Sequence, residues 1–120
     1  MKYTLQTLIV VVALTCAQAL SAASEDPVKL SPENYKVLLK NKQVRVLEVM
    51  LKPGDKSPMH HHPDNVIYVI KGGSARFTDE KGKSQVVTLK TGEVMYREDQ
   101  HHEVENVGKT VIRVLNVELD

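Results

Sequence analysis

KSPMHHHPDNVIYVIKGG, residues 56–73, sets three of the chain's five histidines directly before a run of β-formers. VIYVI is rich in β-branched residues and KGG is a turn signal, so the stretch reads as extended chain ending in a turn. Side chains alternate along extended chain. His60 and His62 therefore share one face and His61 takes the other. Their Cα atoms then lie roughly 7 Å apart, near enough for two rings to converge on one ion.

Outward from this stretch the pattern stays β. QVRVLEVML, SARF, QVVTL, EVMY, HEVENV and TVIRVLNVEL are strand-like runs. KPGD, DEKGK, KTGE, REDQ and NVGK separate them as turns. Short strands at this spacing, with no long helical period, predict an all-β fold: an antiparallel β-barrel or jelly roll over residues 35–119. SPENYKVLLKN carries two signals. Ser31-Pro32 is a helix start, but Tyr35, Val37 and Leu39 alternate with lysines, and a strand is the reading adopted. Residues 24–34, polar with a proline, read as a flexible leader.

The N-terminus has the layout of a secretory signal peptide: Lys2, a short apolar core over residues 8–14, then small residues to Ala23. The apolar run is shorter than the roughly 20 residues that span a bilayer. Cleavage after Ala22 or Ala23 is expected, giving a periplasmic or secreted protein with no membrane segment. Cys16, the only cysteine, leaves with residues 1–23, so neither a disulfide nor thiol chemistry remains. Lys and Arg number 16 against 15 Asp and Glu, and Lys2 is the only charge in residues 1–23. A balanced chain has no electrostatic footprint for nucleic acid.

The remaining histidines fall in QHHEVEN. A ligand from a second strand closes a metal site, and His102 or its neighbour His101 can supply it. Imidazole suits zinc, copper, iron and nickel.

With these residues in view, the chain resembles a small single-domain cupin. Gly54, five residues, His60-x-His62, then VIYVI and Gly72 or Gly73 resemble the first motif of that superfamily. Gly92, His102 and Asn106 resemble the second, with REDQ in place of its proline-glycine turn. The resemblance implies His60, His62 and His102 as ligands of one divalent metal (Fe, Mn, Zn, Ni or Cu). The family's glutamate ligand falls at Val66 or Ile67, neither of which binds metal. Three histidines leave coordination positions open for water or substrate. The resemblance further implies a small-molecule ligand, a homodimer, and either oxygenation, isomerisation or decarboxylation, or metal and ligand binding without turnover. No nucleophile–base pair or glycine-rich phosphate loop accompanies the motifs.

Other residues have two readings each. Tyr68 and Tyr96 are half-buried strand tyrosines or phenols reaching the interior. Glu48 orients a ligand histidine from behind or faces solvent. Arg97 is a surface strand arginine or meets an anionic substrate. Met50, Met59 and Met95 are expected to fill the interior.

Overall fold

The computed structural model describes residues 25–120; the expected signal peptide lies outside the described residues. Among them, nine strands follow one helical turn: α1 (Pro27–Leu30), β1 (Tyr35–Lys40), β2 (Val44–Leu51), β3 (Lys56–His62), β4 (Asn65–Lys71), β5 (Gly73–Thr78), β6 (Ser84–Leu89), β7 (Val94–Arg97), β8 (Gln100–Asn106) and β9 (Ile112–Leu119). They form two antiparallel sheets, β1-β2-β9-β4-β7 and β3-β8-β5-β6. The all-β expectation holds, but the barrel does not close. Among the described residues no ladder joins β1 or β7 to β3 or β6, so the sheets face each other as a jelly-roll sandwich with four free edges.

The strand reading of residues 35–40 is correct, and Ser31 ends α1 instead of starting a helix. Residues 25–34 are part of the packed unit, not a loose leader. Pro27, Ser31 and Asn34 are buried, Asp26 pairs with Arg45 at 3.0 Å, and His61 N–H donates to the Glu25 carbonyl at 2.8 Å.

Alternation builds the core. The inward positions of β2 are Leu47, Val49 and Leu51, and they meet Val69, Ala75, Leu89, Val104, Ile112 and Val114 from the other strands. β9 is inward at every second residue: Ile112, Val114, Asn116 and Glu118. Its inner face thus runs from apolar to polar along one strand. The apolar half belongs to the core, and the polar half faces the histidine end of β3.

Two motif residues serve this frame. A side chain on Gly72 would place Cβ 2.0 Å from the Leu89 carbonyl oxygen, so close backbone approach demands glycine there. Asn106, buried, donates to the Leu51 and Thr110 carbonyls at 2.8 Å each and accepts from Gly108 N–H at 3.0 Å. It ties the turn before β9 to the end of β2.

Candidate metal centre

Pro58 has no N–H for a ladder, and strands accommodate such a residue at an edge or a bulge. β3 is an edge strand, and its register against β8 shifts between Ser57 and His60. Beyond the shift, His60 lies opposite His102 and His61 opposite His101. That register selects His102 over its neighbour. His60, His62 and His102 are all buried, and their ligand nitrogens lie within 4.8 Å of one another.

The protein supports each ring from behind. His60 Nδ1–H donates to the Pro58 carbonyl at 2.7 Å, with the Ser57 hydroxyl at 3.1 Å. A carbonyl can only accept, so Nδ1 carries the proton and Nε2 is bare. His62 Nδ1–H donates to Glu118 Oε2 at 2.7 Å. This is the carboxylate–histidine pairing that orients metal ligands. Glu118 is itself held by Arg45, and Arg45 by Asp26. Burial would raise the Glu118 carboxyl, but hydrogen bonds from His62 and Arg45 outweigh it and hold it below the usual carboxylate range.

Burial, opposed by the Pro58 carbonyl, pushes the His60 imidazole down to about 4. Burial, then repulsion from His60 and His62, pushes His102 down to about 2. Both are neutral at pH 7, as ligands must be. His102 Nδ1 is buried with no hydrogen-bond partner among the described residues. An imidazole with an unpartnered interior nitrogen, beside two rings whose Nδ1 atoms are committed, fits a divalent cation.

Tyr35 contributes a group that sequence reading missed. It is 3% exposed, and its hydroxyl lies 3.3 Å from His60 Nε2. Burial raises this phenol to about 12, so it is a neutral donor. Tyr68 and Tyr96 are 45% and 59% exposed and do not reach the interior. Glu48 pairs with Arg113 at 3.3 Å, away from the histidines; Glu118 takes the orienting role. Of Met50, Met59 and Met95, only Met95 lines the cavity that His62 and His102 also line. Met50 is half-buried on the opposite face of β2 from Leu51, and Met59 is half-buried between Pro58 and His60.

The cavity measures about 50 Å³. Ile67 lines it where the resemblance puts a glutamate ligand, while Val66 pairs with Tyr96 on the other face. Arg97 also lines it, so it is not a surface arginine. Its guanidinium sits 5.1 Å over the Phe77 ring. His61 and His101 point away from the centre, their rings 4.7 Å apart on the outer face.

Comparison with known proteins agrees with this geometry. A solved cupin domain from Bordetella pertussis Tohama I is 26% identical, covering 72% of this chain and 91% of its own, at TM-score 0.66. A predicted oxalate decarboxylase from Thermotoga maritima is also 26% identical, covering 72% and 79% at TM-score 0.52. An RmlC-like cupin with a double-stranded β-helix fold from Methanocaldococcus jannaschii, 20% identical over 71% and 77% at TM-score 0.57, shares the fold. No functionally curated protein matches. The family model for the cupin domain matches residues 47–118, and the chain belongs to the cupin family.

Proposed function

We propose that this is an exported small cupin that holds one divalent metal through His60, His62 and His102 and presents it to a small molecule. The carrying observation is the three buried ring nitrogens within 4.8 Å, with His60 and His62 fixed by Pro58 and Glu118. The bound ion would supply Lewis acidity and open coordination positions. The chain's residues then hold ligand geometry, exclude water with the apolar wall, and offer the Tyr35 hydroxyl as a neutral hydrogen-bond donor.

Two chemical readings separate on one experiment. The first is turnover of a small molecule by oxygenation, isomerisation or decarboxylation; the likeness to the Thermotoga protein supports decarboxylation of a small acid. The second is binding without turnover. It is supported by Glu118, the buried carboxylate near the centre, which is already engaged by His62 and Arg45 and not free as a base. Metal analysis of protein from its own compartment, with oxygen uptake and carbon dioxide release on a small-acid panel, decides. Metal with turnover assigns an enzyme; metal without turnover assigns a binding module. Absence of stoichiometric metal, and none bound on titration, rejects the whole reading.

Export rests on the signal-peptide layout and is tested by the intact mass of the exported protein. The homodimer would cover the exposed Leu38 and Leu39 of edge strand β1, or Val94 and Tyr96 of edge strand β7. Light scattering at monomer mass across a wide concentration range rejects it.

A further inference from the structure

We propose that the cavity beside the histidines takes a compact hydroxy acid. Its carboxylate is held by the Arg97 guanidinium and the Asn65 amide, and its carbon body lies against Ile67, Met95 and Phe77. This deepens the reading above and rests on that cavity being the ligand site.

The first observation is an unmet need. Asn65 is 0% exposed, and among the described residues neither its Nδ2 nor its Oδ1 has a hydrogen-bond partner; Asn116 Oδ1 is buried and unmet there as well. Leaving such groups unpaired forfeits their solvation without compensation, so native interiors rarely keep them without a purpose. Exchanging the amide's oxygen and nitrogen leaves the same need. All three atoms belong to residues that line the cavity.

The second observation is charge. Asn65 and Arg97 are register partners on β4 and β7, and both line the cavity. Among the described residues no carboxylate forms an ion pair with Arg97. Glu98 is exposed just past the end of β7, and Asp99 is bonded to His61. A guanidinium is a planar fork suited to carboxylate, and the Asn65 Nδ2 adds a donor beside it. The unmet amide oxygens ask in turn for a donor, which a hydroxyl on the ligand supplies.

The third observation bounds the rest of the molecule. Apart from these groups and the histidines, the wall is mostly apolar, Leu89 and Val104 among it. A sugar, with hydroxyls on every carbon, would leave several of them unpaired. A cavity of about 50 Å³ equals about three to five water sites at about 10–15 Å³ each. That suits a compact ligand no larger than a short hydroxy acid.

Lactate, propionate and lactamide form a matched probe set: the acid with its hydroxyl, the acid without it, and the neutral amide. Each is titrated calorimetrically into the protein with and without zinc. Lactate should bind both forms. Lactamide should bind about tenfold more weakly for want of the charge-assisted bond to Arg97, and propionate severalfold more weakly. Arg97→Met should weaken lactate about tenfold and leave lactamide nearly unchanged; Arg97 is half-buried, so this variant keeps the core intact. Equal affinity for lactate and lactamide, indifference of lactate to Arg97→Met, or no saturable lactate binding overturns the proposal. The His60→Ala variant separates the two readings. Lactate binding that survives there, without metal, stands apart from the metal centre, and metal binding without lactate binding sinks this inference alone.

Discussion

The β3–β8 ladder carries histidines on both faces, and the two sets meet opposite environments. On the inner face His60, His62 and His102 are at most 8% exposed. Their partners are the Pro58 carbonyl, Glu118 and the Tyr35 hydroxyl. On the outer face His61 and His101 are half-buried and lie against the carboxylates of Asp99, Glu25 and Glu80 at 2.9, 3.0 and 3.4 Å. One-residue steps along the same two strands separate them. Burial strips water from the inner rings and keeps His60 and His102 neutral, with lone pairs for an ion. On the outer face the bond to Glu25, and the charges of Glu80 and Asp99, raise the His101 imidazole and favour its protonated form. Position on the pleat, not residue type, makes a ligand.

Alanine at His60, His62 or His102 should produce the largest effect. Each substitution removes one of three donors, and calorimetric titration with zinc should show at least a hundredfold loss of affinity. His61→Ala and His101→Ala should stay within about threefold. An outer variant that loses metal as badly as an inner one breaks the comparison.

Glu118 tests whether the inner face depends on its backing. Glu118→Gln should lower metal affinity by about 10–100-fold, the usual result of losing such a partner. Glu118→Ala should also destabilise the fold by about 1–3 kcal/mol, because the buried His62 Nδ1–H loses its acceptor while Arg45 keeps only Asp26. Urea unfolding of the metal-free protein measures the second effect. Glu48→Ala, on the other side of the sheet, should change neither by much.

The pH dependence of metal-free stability should have opposite signs on the two faces. His60 and His102 titrate near 4 and 2 when folded, against about 6.5 when unfolded. Above about pH 6.5 neither state protonates them, and their contribution to stability is complete. As pH falls toward 4 the unfolded chain takes up protons the folded one refuses, at up to about 1.4 kcal/mol per unit for each histidine. The urea midpoint should therefore drop through that window, and His102→Ala should flatten the drop. His101 is raised in the folded state, so what it contributes is present below about 6.5 and lost as pH rises through its folded value. His101→Ala should leave the acid-side slope nearly unchanged.

The smallest expected effect is at Tyr35. Tyr35→Phe keeps the buried ring and removes one neutral hydrogen bond, about 1 kcal/mol of stability. Zinc affinity should move by less than threefold. A larger loss would make the hydroxyl a ligand.

Much of this was legible from residue order alone. Short β-branched runs between glycine turns specify an all-β chain, because extended backbone and tight turns are local preferences. The separation of His60 and His62 from His61 follows from the period of two, which needs no knowledge of any partner strand. What escaped was whatever depends on which strand lies opposite. His101 and His102 are equivalent until the register with β3 is known. In β9 the outward set Arg113, Leu115, Val117 and Leu119 is more apolar than the latter half of the inward set, so pattern alone conceals Glu118 as an interior residue. Tyr35 gave no signal that distinguishes it from Tyr68 and Tyr96, and β4 placed Asn65, not a glutamate, in the buried row beside Arg97. Alternation divides each strand into two faces from the sequence alone; which face is inside, and what it meets there, is settled by long-range pairing and by the burial that pairing imposes.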